Sequence, residues 1–116
     1  MWRCVLRLYA ELWNARPAWL ALSQPERERF FEAIGAELAR QLDAGCEFIG
    51  AIITDTDTPH RAAYQYMALW RMDEALVRPF EEAWERLGWY TYFEQTNVRG
   101  APVDAGTLFT HHIQAS

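Results

Sequence analysis

Lysine is absent from this chain: every one of its eleven positive charges is an arginine. Schiff-base chemistry on a lysine amine is thereby excluded. Cysteine is scarce as well. Cys4 and Cys46 are too few for a disulfide framework and lack the C-x-x-C spacing of metal or redox motifs, so both are read as buried, reduced thiols. No window approaches the roughly 20 apolar residues of a membrane span. Arg3 and Arg7 interrupt the N-terminal stretch in which a secretory signal would lie. Concentrated positive charge is missing too: eleven arginines are scattered among sixteen acids, for a net charge of −5. Such a surface offers no cationic footprint to a phosphate backbone. Together these absences point to a cytoplasmic protein with neither a nucleic-acid nor a membrane partner.

Aromatic residues are what the chain has in excess, at 15% with six Trp. With half of its 116 residues hydrophobic, it is long enough for one domain, 1–116, and too short for two. A domain of this size has limited interior. Large apolar patches left outside it mark a ligand site or a protein interface.

The organising stretch is TDTDTPHRAAYQYMALWRM, Thr54 to Met72. Its first part, with Asp55, Asp57 and Pro59 among threonines, reads as a loop. From Ala63 to Met72 it reads as a strand with two apolar sets at period two: Tyr64, Tyr66, Ala68, Trp70 and Met72 on one face, and Ala63, Gln65, Met67, Leu69 and Arg71 on the other. Both faces want cover, helices on one side and a partner subunit on the other.

Trp2 to Asn14 alternates in the same way. Trp2, Cys4, Leu6, Leu8, Ala10 and Leu12 form the face expected under the helices. Arg3, Val5, Arg7, Tyr9, Glu11 and Trp13 form the other, where an Arg7–Glu11 salt bridge in a dimer contact and a polar-lined pocket are the two readings. Residues 15–22 are a linker around Pro17, with Trp19, Leu20 and Leu22 tucked back. Ser23-Gln24-Pro25-Glu26 is a capping box opening a helix with apolar Phe30, Phe31, Ile34, Leu38 and Leu42, closed by Gly45. Cys46 to Thr54 is a second strand in which Gly50 marks a bulge. Asp73 caps a second helix carrying Leu76, Phe80, Ala83, Trp84 and Leu87, with a kink expected at Pro79 and a stop at Gly88. Trp89 to Asn97 reads as a fourth strand. The tail from Arg99 is loop-like, with Thr107 to Ile113 as a short final strand.

The order is β-α-β-β-α-β, an α+β, ferredoxin-like arrangement with a four-stranded antiparallel sheet and two helices on one face. In layout the chain resembles the dimeric α+β barrel superfamily, whose small subunits pair through their open sheet faces. TDTDTPHRAAYQYMALWRM together with GWYTYFEQTNVRG further resembles a family of uncharacterised bacterial proteins, from the first strand to the tail. The superfamily resemblance implies a homodimer and a cleft. It leaves the chemistry open, because that superfamily holds cofactor-free monooxygenases, decarboxylases, haem-handling enzymes and proteins without known chemistry, and none of their catalytic signatures is present here.

Candidate site residues follow from this frame. His60, between the acidic loop and the central strand, is read either as a general acid or base oriented by Asp55 or Asp57, or as a cap of its own loop. Glu11 and Glu94 form a second candidate pair for proton transfer if both face the cleft. Arg7 would then bind an anionic group, and Tyr9, Trp13, Tyr66, Trp70 and Tyr92 would hold a flat hydrophobic ligand. Simple core or dimer packing is the competing reading for these aromatics. No cofactor is implied. No metal is expected either: Asp55, Asp57 and His60 lie in a loop, and adjacent His111 and His112 on a strand would point to opposite faces. Two hypotheses remain, a cofactor-independent binder or enzyme for an aromatic metabolite and a dimerisation module without turnover. The first requires an enclosed cavity of about 300 Å³ or more.

Overall fold

A computed structural model describes residues 4–116, so Trp2 and Arg3 of the expected first strand lie outside the described residues. The strands are β1 (Leu6–Ala15), β2 (Glu47–Ile53), β3 (Tyr66–Asp73) and β4 (Phe93–Gly100). They form one open antiparallel sheet in the order β2-β3-β1-β4. The helices are α1 (Pro17–Leu20), α2 (Gln24–Ala44), α3 (Glu74–Arg86), α4 (Trp89–Tyr92) and α5 (Ala105–Ile113).

Local chemistry accounts for the long helices. At α2 the Ser23 hydroxyl accepts from the Glu26 amide and the Glu26 carboxylate accepts from the Ser23 amide, the expected capping box. Gly45 ends the helix at φ 110°, a conformation that costs other residues a Cβ clash. The buried positions of α2 are not the expected stripe throughout. Ile34 is buried, but Phe31 and Leu42 are exposed, while Glu37 and Gln41 are inside. Glu37 accepts from Gln41 at 2.6 Å, from Arg40, and from Arg86 of α3 at 3.3 Å, so a buried, paired carboxylate ties the two helices together. Asp73 caps α3 through the Ala75 amide and also holds the Val5 amide at 2.7 Å. The expected kink does not divide α3. Pro79 sits inside one helix, where it removes a single bond near the capped end.

Register fixes which side chains meet the helices. Tyr9 stands opposite Trp70, Glu11 opposite Ala68, and Trp13 opposite Tyr66. Tyr9 and Trp70 both pack edge-on to Phe80 of α3, and Trp13 packs edge-on to Trp89. The helices therefore cover the Arg7, Tyr9, Glu11 and Trp13 face, the reverse of the expectation. Leu6, Leu8, Ala10 and Leu12 lie on the open face with Met67, Leu69, Ile52 and Val98. Beneath the helices Tyr9, Trp70 and Trp89 find hydrogen-bond partners, while the Trp84 indole N–H is buried with none among the described residues; the aliphatic side chains, which need none, are left outside.

Other expectations are corrected in detail. Gly50 does mark an irregularity, a register shift between Phe48 and Gly50. β3 begins at Tyr66, and residues 54–65 are loop, pinned by Arg61 to the Asp55 carbonyl and the Thr54 hydroxyl. The linker contains one helical turn, with Trp19 buried and Leu20 exposed. The expected fourth strand starts late: Trp89–Tyr92 is a helical turn after Gly88 at φ 78°, and β4 runs from Phe93. The tail is a helix, α5, because the Asp104 carboxylate caps the Thr107 amide. Cys46 is buried and Cys4 exposed.

Candidate functional site

Between the covered sheet face and α2 lies a cavity of about 180 Å³. Trp13, Ala68 and Trp70 form its floor, Ile34 and Leu38 of α2 its roof, and Trp84 and Trp89 one wall. Glu11 is its one ionisable lining residue. The size fits a single aromatic ring: a dry apolar cavity near 150 Å³ accepts benzene. It is smaller than the enclosed cavity of about 300 Å³ that the ligand-binding reading requires, which narrows that reading to a ligand of about one ring.

Glu11 reaches this position because β1 alternates and its odd residues face inward. It is 8% exposed. Its Oε1 accepts from Trp70 Nε1 at 2.8 Å, and its Oε2 accepts from Gln95 Nε2 at 3.0 Å. The Gln95 Oε1 in turn accepts from Trp89 Nε1 at 2.7 Å, and Gln95 Nε2 also donates to Asn97 Oδ1 at 2.8 Å. Burial pushes the Glu11 carboxyl up from 4.5 to about 7, and the bonds from Trp70 and Gln95 pull the other way. A carboxyl balanced between its two forms at neutral pH is suited to taking up and releasing a proton. Among the described residues no arginine pairs with it. Arg7, the expected partner, bonds Glu74 at 3.1 Å instead.

The remaining candidates are dispersed. Of the expected ligand-binding residues, Trp13 and Trp70 line the cavity with Glu11. Tyr9 donates from its hydroxyl to Glu81 at 2.8 Å, burial raises its phenol well above the usual range, and Arg99 holds the same Glu81 at 2.9 Å. Tyr66 stacks on Trp13 from outside the cavity lining. Tyr92 packs on Trp19 and Phe30. Glu94 stands opposite Asn14 on the other side of the sheet from Glu11, exposed, so the expected carboxylate pair is not brought together. His60 is exposed at the loop tip with φ 55° and does not line the cavity.

Sequence reasoning missed Gln95, whose position opposite Trp13 puts it on the covered face, and the contribution of α2 and α3 to the cavity. Period two groups Gln95 with Trp89, Thr91 and Phe93 on one face of the expected fourth strand, opposite to Glu94, without saying which face is covered. Nothing in the pattern revealed its bonds. Among the described residues, no group of three or more His, Cys, Asp or Glu is gathered closely enough to hold a metal ion, and no helix is long and apolar enough to cross a membrane. His111 and His112 lie on α5 rather than on a strand.

Residues 6–115 match the model of DUF6616, a family of unknown function. No curated protein matches the chain.

Proposed function

The chain belongs to this family of unknown function, and from that premise we propose that it binds, and exchanges a proton with, a compact hydrophobic or aromatic small molecule in the cavity under α2, without a cofactor. The observation that carries the reading is the placement of Glu11: one carboxyl, held by Trp70 and Gln95, at an otherwise apolar cavity whose walls are mostly indole rings. Burial of a carboxyl without a cation is costly for a purely structural position, since an apolar residue of the same volume would fill the space better. Its use is a proton held at a chosen point. Glu11 is the acid or base in this reading, Trp13 and Trp70 form the ligand platform, and the cavity size limits the ligand to about one ring.

The same proposal treats residues 1–116 as one ferredoxin-like unit that pairs with a second copy through the open sheet face, in the manner of a dimeric α+β barrel. Support comes from the aliphatic character of that face. Leu6, Ile52 and Val98 are exposed there, the Arg71–Glu47 pair at 2.6 Å is self-neutralising, and Glu94 stands at the margin beside Asn14. The dimerisation module without turnover is the second reading, supported by this face alone.

Thermal shift and tryptophan fluorescence with phenol, benzene and indole separate the two. The ligand reading expects a raised melting temperature for at least one of them, because a molecule that binds only the folded state stabilises it by mass action. It expects that gain to vanish in Ala68→Leu, which fills the cavity floor. No response from any probe at millimolar concentration leaves only the module.

A further inference from the structure

α5 is a helix whose composition belongs to an interior and whose position is outside one. Its nine residues, AGTLFTHHI, contain no Asp, Glu or Arg, whereas α2 and α3 carry charges along their outer faces. Ala105, Leu108, Phe109, His112 and Ile113 fall at i, i+3, i+4, i+7 and i+8, the spacing of a stripe that packs against something. Yet every residue of 101–116 is exposed, with Phe109 at 62% and Ile113 at 82%. Among the described residues, the hydrogen bonds of 104–115 stay within that segment. A helix this short is marginal in water on its own, because nucleation costs more than a few bonds return. The radius of gyration is 16.7 Å, where a compact chain of this length has about 13 Å. The helix stands off the body that made it.

We infer that α5 is an arm that buries its Leu108, Phe109 and Ile113 stripe on a second copy of the chain, across the margin of that copy's open sheet face. The inference rests on the sheet-face pairing proposed above and adds the element that completes it. Geometry favours this occupant. α5 leaves the sheet four residues after β4, an edge strand, so it starts at the rim of the open face. Its length, about 13 Å at 1.5 Å per residue, spans about three strands at their usual spacing. Area favours it as well. The exposed apolar side chains of the arm and of the open face together offer on the order of the 800 Å² per partner that a stable interface buries. Charge fits as well, since α5 contains no Asp, Glu or Arg, Asp104 is engaged as its cap, Arg71 and Glu47 on the receiving face are already paired, and the face's remaining exposed carboxylate, Glu94, lies at its margin opposite Asn14. A two-fold exchange satisfies both surfaces at once, because each copy carries one arm and one receiving face.

Sedimentation velocity of the full chain from about 1 to 100 μM, beside Phe109→Asp/Ile113→Asp and Ile52→Asp, tests it. The expected result is a wild-type dimer whose dissociation constant weakens at least a hundredfold in the arm variant, with unchanged circular dichroism and tryptophan emission. Isotope-filtered NOEs between labelled and unlabelled copies are expected to join Phe109 to methyl groups of the open face. A dimer equally tight in the arm variant but lost in Ile52→Asp overturns the arm while leaving the sheet pairing standing. A monomeric wild type overturns both.

Discussion

The two faces of one sheet are built from the same alternating strands and have opposite characters. The covered face carries Tyr9, Trp13, Trp70 and Glu11, and hydrogen bonds run through it: Tyr9 to Glu81, Trp70 to Glu11, Glu11 to Gln95, Gln95 to Trp89. The open face carries Leu8, Ala10, Leu12, Met67, Leu69, Ile52 and Val98, with its polar side chains at the margins: the Arg71–Glu47 pair at one end and Asn14, Glu94 and Thr96 at the other. Hydrophobicity alone does not separate them. What separates them is that a buried indole or carboxyl needs a partner of fixed geometry, which here comes from neighbouring strands, while aliphatic side chains accept any apolar cover. In the function proposed above, the first face holds the site and the second meets the partner copy.

The comparison is most strongly broken from the covered side. Trp70→Ala removes a ring that is 2% exposed, one bond to Glu11 and the contacts with Phe48 and Phe80. A loss of about 3–5 kcal/mol in urea unfolding is expected. An alanine at Val98, 63% exposed, is expected to cost the isolated chain under about 0.5 kcal/mol. Equal costs would mean that the faces are misassigned.

Titration sharpens the same contrast. Glu11 has its folded value raised to about 7 from 4.5, so between those two pH values the folded state holds a proton that the unfolded state has released. Its contribution to stability is complete below about pH 4.5 and is lost as pH rises through about 7, a fall on the order of 3 kcal/mol. Urea midpoints of wild type and Glu11→Gln measured across this window are expected to differ in slope, the variant lacking that fall.

Ligand response comes next. Ala68→Leu is expected to abolish the melting-temperature gain from single-ring aromatics while Ile52→Leu, on the other face, keeps it. The smallest effect concerns neither face. Ser23→Ala removes the hydroxyl half of the capping box at the start of α2 and is expected to cost about 1 kcal/mol by urea unfolding.

Local signals in the sequence were legible where their chemistry is local. The capping box at Ser23, the left-handed glycine at 45, the irregularity at Gly50 and the cap at Asp73 each follow from a few neighbouring residues. The division of β1 into two faces was legible too. Which face would meet the helices was not, because alternation defines two sets and leaves their orientation to packing partners far along the chain. Trp89–Tyr92 reads as strand from its β-favouring rings. Gly88 instead turns it into helix, and Trp89 stacks on Phe93 at 4.2 Å in a tertiary arrangement that overrides propensity. α5 was readable and was not read: Asp104 is a good cap, and the i, i+3, i+4, i+7, i+8 stripe stands behind it. The β-branched and aromatic Thr107, Phe109, Thr110 and Ile113 favour a strand, and the Asp104 cap and the helical spacing outweigh that preference.

The account depends on Glu11 sitting on the helix-covered face in a nearly dry cavity. A pH titration of its side-chain carboxyl carbon by NMR measures that directly. A midpoint near 7 is predicted, moving toward the ordinary range when Ala68→Ser admits water; a midpoint near 4.5 in the wild type would contradict the burial, the face assignment and the proton-transfer role together.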